Sequence, residues 1–262
     1  QCVNNETGVV QTEISEIVKK ARAAGARVHV DAAQAWGKIA FDVQALGASY
    51  VTFSGHKIGA PAGIGVVWVG RGSPLEPLLR GKQEKGRRGG TENVLGIWLT
   101  GEAAQAVGTL LEKSDEIRLE REKLEREVLA AIPGASVNGA GARLRVAGTS
   151  SFSFGPDVSG ESLVLGLDME GYSVSAGAAC SSGVLGPSRV LLAMGRGRAE
   201  ALAAMRVSWN QPMSQETLAG FVQALVRVVA RIRGVAAAEA ALPAGLRRVD
   251  ESSPKKTGTR NV

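Results

Sequence analysis

Arg27-Val28-His29-Val30-Asp31, and then Tyr50-Val51-Thr52-Phe53 running into Ser54-Gly55-His56-Lys57, decide how this chain is read. Each opens as a short apolar run suited to a buried strand, and each ends on groups that can bind or react. Residues 64–69 read as a further strand. Upstream, Thr12 is placed to cap a helix with Ile14, Ile17, Val18 and Ala21 at helical spacing, Glu13 and Glu16 in its first turn, and Gly25 as its stop. This alternation predicts an α/β domain with a mainly parallel sheet, where ligands gather at the carboxyl ends of strands. Asp31 and the cluster ending in Lys57 both stand at such ends.

Farther along, residues 93–132 are helical in pattern until Pro133-Gly134 breaks them, and the charged stretch 112–127 reads as a solvated helix face. Strands at 150–154, 172–175 and 205–209 then mix with helices at 161–169, 187–194 and 214–233, an α+β pattern for a smaller second domain. The expected division is therefore 1–112 as part of a large ligand-binding domain, 113–234 as the small domain, and 235–262 as a disordered tail.

Composition narrows the function. With 262 residues and 44% hydrophobic content the chain can bury a substantial core. Its net charge of +6 comes with only 4% aromatics, scattered, so the charge suits small anions better than nucleic acid. Two cysteines, Cys2 and Cys180, are too few for a disulfide-stapled scaffold, which points to a reducing, cytoplasmic setting. No metal site is expected from two histidines without paired cysteines. No run of about 18 apolar residues is present, so no membrane partner is expected. The chain opens on Gln1-Cys2-Val3 without a signal peptide or an initiating Met, and it reads as beginning inside a longer one.

A lysine held beside an imidazole after a strand, as Lys57 is, can have its pKa lowered enough to form a Schiff base with an aldehyde. Alone, Lys57 is no more than a loop lysine. Asp31 supplies its complement, a carboxylate able to keep a pyridine nitrogen protonated and so make the ring an electron sink. Cys180 lies among small residues in Ala176-Gly177-Ala178-Ala179-Cys180-Ser181-Ser182-Gly183, where a loop lets a thiolate move. Cys2, in contrast, reads as a small buried hydrophobe.

Five blocks carry a family resemblance: Val3-Asn4-Asn5-Glu6-Thr7-Gly8, His29-Val30-Asp31-Ala32-Ala33-Gln34, Ser54-Gly55-His56-Lys57, Gly86-Arg87-Arg88-Gly89-Gly90-Thr91-Glu92-Asn93, and the segment around Cys180. In order and spacing they resemble those of cysteine desulfurases, from Val3 to about Arg233. The resemblance implies a fold-type I enzyme dependent on pyridoxal 5'-phosphate, with a partial large domain and a smaller C-terminal domain. Lys57 would hold the cofactor, Asp31 would pair with its ring nitrogen, and Gln34 would bond its phenolic oxygen. Ser54 and His56 would bind its phosphate, and Thr91 would reach the phosphate of the other subunit of a homodimer. Asn5 would lie near cofactor and substrate. Arg206 would clamp the carboxylate of L-cysteine through a guanidinium fork. Cys180 would take the substrate sulfur as a persulfide, releasing alanine, and pass it to an acceptor or scaffold protein for iron-sulfur or other cofactor assembly.

The family's N-terminal segment, with its phosphate-cradling loop and a histidine stacked on the cofactor, has no counterpart here, since neither His29 nor His56 suits that role. Trp209 stands where the family usually has Leu, which could reshape the substrate pocket. A selenocysteine lyase or aminotransferase of the same fold would keep Lys57 and Asp31 without needing the thiol, and a truncated paralogue without catalysis is the third reading.

Overall fold

A sheet of three strands grows from the segments with which the sequence opened its case. In this computed structural model, which describes residues 1–177 and 186–241, β1 (His29–Asp31) pairs in parallel with β2 (Tyr50–Ser54). The chain then folds back through a 3-10 turn, Gly55–Ile58, to β3 (Gly65–Val69), which runs antiparallel to β2. The sheet is therefore mixed rather than mainly parallel. A parallel return needs a crossover of a dozen or more residues, and the connection from Ser54 to Gly65 is too short for one.

Helix α1 (Ile14–Ala23) precedes β1, and the short α2 (Val43–Leu46) lies between β1 and β2. Thr12 does not cap α1; its hydroxyl donates instead to Glu13 at 2.7 Å. Gly25 does end the helix, with its N–H on Arg22. Asp42 caps α2 by accepting from the N–H groups of Gln44 and Ala45, which satisfies two otherwise orphaned donors. Val18, Val30, Leu46 and Val51 close this core together with Cys2, whose thiol burial pushes upward in pKa, as befits a packed hydrophobe.

After a turn, α3 (Gln83–Gly86), the chain enters α4 (Val94–Gln105), α5 (Val107–Glu112) and α6 (Ser114–Ala131). Asn93 caps α4 through the N–H of Gly96. Gly96 is needed there because a Cβ would stand 2.5 Å from Ile64, so α4 lies directly on the loop that follows Lys57. By length and composition alone the stretch Val94–Glu112 could cross a membrane, although polar residues such as Glu102 and Gln105 interrupt it. It is divided at Ala106, and α4 packs on the 3-10 turn while leaving Val94, Leu95, Ile97 and Trp98 exposed.

A second sheet, ordered β4-β5-β7-β6, is antiparallel throughout: β4 (Ser136–Val137), β5 (Thr149–Ser153), β6 (Ser175–Ala176) and β7 (Ala204–Ser208). Helices α7 (Gly160–Met169) and α10 (Gln215–Ala241) pack with α6 around Leu124, Phe152, Leu163, Met205 and Leu225, while α8 (Arg189–Ala193) and α9 (Arg198–Leu202) lead into β7. Because α10 runs to Ala241, helix extends into residues expected as tail.

The charged face of α6 is the clearest departure from expectation, since Glu120, Arg121 and Glu125 are buried. Arg145 grips Glu125 with two hydrogen bonds of 2.7 and 2.8 Å, Ser150 donates to it at 2.6 Å, and Arg121 donates to the carbonyl of Val146 at 2.7 Å. Glu120 accepts from the indole of Trp209 and from Met213 N–H. Trp209 is thus directed to α6 and the second core. These charges were legible as a helix face, but their burial depends on segments that only tertiary packing supplies.

Burial by itself would raise the Glu125 carboxyl, yet the bonds from Arg145 and Ser150 and the charges of Arg145 and Arg121 outweigh it and hold the pKa below its ordinary value. Its stabilising contribution is complete above the unfolded carboxylate value of about 4.3 and is lost as pH falls through the lower folded value. Glu125→Gln should cost about 3 kcal/mol in urea unfolding at pH 7, because it leaves buried cations uncompensated. The variant should also lack this residue's share of the acid loss. Equal stability at pH 7 would show that the network contributes nothing.

A second pair of variants tests the seat of α4. Gly96→Ala should destabilise by roughly 1–3 kcal/mol through overpacking on Ile64. Gly101→Ala, in the same helix with nothing within 4 Å of its added Cβ, should stabilise by roughly 0.5–1 kcal/mol. The opposite order in thermal or urea unfolding would mean that α4 does not rest on that loop.

Candidate active site

The register of β1 on β2 sets Asp31 opposite Thr52, so the carboxylate and the turn carrying Lys57 emerge at one edge of the sheet. Asp31 is exposed, and one of its oxygens accepts from the N–H of Ala33 at 2.9 Å, which steadies the side chain at the strand end. His29 lies behind it, its Nε2 hydrogen-bonded to the Thr52 hydroxyl at 3.0 Å. Across the edge, Ser54 Oγ and His56 Nδ1 share a hydrogen bond of 2.9 Å. Lys57 is exposed in the 3-10 turn, which ends at Gly59 with φ +97°, a conformation that favours glycine.

The turn after Asp31 brings in Gln34 and a residue that sequence reasoning passed over. Lys38 donates to the Gln34 side-chain oxygen, and its ammonium pKa is lowered to about 8, first by burial and then by the charges of Lys57 and Arg206. Four residues separate Gln34 from Lys38, the spacing at which side chains on a helical turn meet, and that spacing was the available signal. Trp36 packs edge-on against Phe53 with ring centroids 5.3 Å apart, pinning this turn to β2.

From the second sheet, Arg206 on β7 reaches the same corner. Its Nη1 donates to the backbone oxygen of Asn5 at 2.7 Å and its Nη2 to Ser175 Oγ at 3.2 Å, while its Nε is buried and without a hydrogen-bond partner among the described residues. Two of the five guanidinium N–H donors are thus occupied, which orients the fork and leaves capacity for a carboxylate. Glu6 accepts from Ser188; burial raises its pKa, against the lowering effects of that hydrogen bond and of the Arg206 charge.

Cys180 falls outside the described residues. The flanking Ser175 and Ser188 are both tied to this corner, through Arg206 and Glu6. Thr91 is exposed just before α4, and no hydrogen bond joins it to Ser54 or His56. The structure therefore places Asp31 and the turn carrying Ser54, His56 and Lys57 at one end of the first sheet, with Gln34 just after Asp31, and joins Arg206 to Asn5.

The first group has the donor set that pyridoxal phosphate requires. Asp31 offers an anion for a protonated ring nitrogen, Gln34 an amide for the phenolic oxygen, Ser54 and His56 hydrogen-bonding groups for the phosphate, and Lys57 an amine for the aldehyde. Asp31 makes no ion pair among the described residues, which leaves its charge available.

Comparison with known proteins places the chain among its relatives. The chain is 40% identical over 237 residues to a cysteine desulfurase from Trichormus azollae, a match covering 88% of this chain and 58% of that protein. The solved NifS-like protein from Rickettsia africae superimposes with a TM-score of 0.77 at 29% identity, covering 87% of this chain and 60% of that one. A structure of SspA in complex with cysteine matches with a TM-score of 0.62 at 30% identity, over 81% of this chain and 58% of that one. This chain thus spans under two thirds of the length of these relatives. The family model for aminotransferase class V matches residues 1–221, and the chain belongs to that family.

Proposed function

We propose that this protein is a pyridoxal-phosphate-dependent cysteine desulfurase that passes sulfur from L-cysteine through Cys180 to an acceptor protein, in iron-sulfur or related cofactor assembly. The observation that carries the reading is convergence. Lys57 and Arg206 come from different sheets, yet both of their charges bear on Lys38, so an amine for a cofactor and a clamp for an amino-acid carboxylate share one corner.

Pyridoxal phosphate, when bound, would supply an electron-withdrawing ring able to stabilise negative charge at the substrate α-carbon. Asp31 would keep the ring nitrogen protonated, while Ser54 and His56 would hold the phosphate. Arg206, oriented by Asn5 and Ser175, fixes the substrate carboxylate. Lys57 moves the proton at the substrate α-carbon. Cys180 thiolate attacks the substrate sulfur, so that an S–S bond forms as the C–S bond breaks. The C–S electron pair stays with the carbon fragment, which takes up a proton and leaves as alanine. This chemistry needs a free thiol and accords with a cytoplasmic setting.

The protein should show visible absorbance with pyridoxal phosphate, and Lys57→Ala should abolish it. Cys180→Ser should keep that absorbance yet release less than about 1% of the wild-type alanine, because a hydroxyl is a far weaker nucleophile toward sulfur than a thiolate. Full alanine release by Cys180→Ser, with no added sulfur on Cys180 by mass spectrometry, would transfer the assignment to a lyase or aminotransferase.

We also propose a homodimer in which Thr91 serves the partner's site. Exposed Val94, Leu95, Ile97 and Trp98, directly after Thr91, offer an apolar face for the second copy. Mixing Lys57→Ala with Thr91→Ala subunits should partly restore activity, since one site of each heterodimer escapes both changes. Heterodimers that form and recover no activity would place Thr91 within its own subunit or outside the site.

A further inference from the structure

We infer that Lys38 is a positioning residue, whose ammonium locks the Gln34 carboxamide with its oxygen toward Lys38 and its NH2 group available to an anionic ligand atom. The inference rests on the reading that Gln34 serves the cofactor site, and it adds what sets the polarity of that side chain. A glutamine amide has two faces of similar shape and opposite hydrogen-bonding character, an oxygen that accepts and a nitrogen that donates. Nothing in glutamine itself chooses between them. A lysine ammonium only donates, so its contact with the Gln34 oxygen admits one orientation. The amide nitrogen is then turned away from Lys38, where its two N–H groups can serve an oxyanion. The flipped amide would present an oxygen to the same atom and repel it.

The surroundings make the lock specific. Edge-on packing of Trp36 against Phe53 holds the turn that carries both residues, so the pair cannot drift apart without losing that contact. Lys38 is half-buried, which limits competition from water for its protons. The charged groups that bear on it are Lys57, from the 3-10 turn, and Arg206, from β7. Burial first, and then the charges of these two cations, lower the ammonium pKa to about 8, so the lock is firm at pH 7 and loosens above about pH 8. A neutral amine can accept as well as donate, and it no longer forbids the flipped amide.

The test uses Lys38→Met, which keeps the length of the side chain without the donors, and Lys38→Arg, which keeps the donors. In the full chain, the Gln34 side-chain amide resonances, identified by their loss in Gln34→Ser, should shift with a midpoint near pH 8 in wild type. That shift should vanish in Lys38→Met and move to higher pH in Lys38→Arg. Titration with pyridoxal phosphate, followed by its absorbance, should show binding about tenfold weaker in Lys38→Met and within about twofold of wild type in Lys38→Arg, the scale of one hydrogen bond to a charged group. Gln34 resonances indifferent to Lys38→Met would overturn the lock, as would unchanged cofactor binding in a Lys38→Met protein whose wild type binds well. Failure of wild type to bind pyridoxal phosphate would count against the cofactor reading instead, and the amide resonances would still decide the role of Lys38.

Discussion

Parallel pairing of β1 with β2 is the constraint on which the rest of the site depends. In a parallel pair both strands point their carboxyl ends the same way, so residues that leave those ends share one edge. Had β2 run antiparallel to β1, Asp31 and Lys57 would emerge at opposite ends of the sheet. Interlocked rings reinforce the arrangement: Phe53 on β2 meets both Trp36 and Phe41 edge-on, so the segment after Asp31 lies against the strand that leads to Lys57.

Bringing the second sheet to that edge is the task of the first ten residues. Val3 and Val10 bridge one another, Val9 bridges Arg145, and Val10 N–H bonds the carbonyl of Leu144. Cys2 N–H bonds Asp31 O on the other side, so one short segment is tied to both halves. Arg206 completes the seam through the backbone of Asn5. Part of the hydrogen-bonding capacity of this guanidinium is thus used to fix its own orientation.

Charge is handled in two ways across the molecule. Around Glu125, ions are buried in matched pairs with their hydrogen bonds satisfied, which fixes α6 against the Arg145 segment. Around Lys38, burial and then the charges of Lys57 and Arg206 make the ammonium hold its proton less tightly. The first arrangement stabilises the fold; the second builds a positive site suited to anionic ligands.

The sequence by itself determined the strands at Asp31 and Ser54, the stop at Gly25, the break at Pro133-Gly134, and Lys57 and Asp31 as candidates, whereas Arg206 entered only through the family resemblance. These are local matters: an apolar run bounded by turn residues, or a reactive group at its end, can be read within a few positions. Tertiary structure decided what depends on partners distant in the chain. Whether β3 runs parallel or antiparallel followed from how the loop after Lys57 folds back under α4. Whether Glu125 meets water or Arg145 depended on a segment twenty residues away, and Trp209 was turned to Glu120 by packing across the second core. Lys38 shows the division within one residue. Its spacing from Gln34 was visible along the chain, but its proximity to Lys57 and Arg206 exists only once two sheets meet, because electrostatic coupling depends on distance through space.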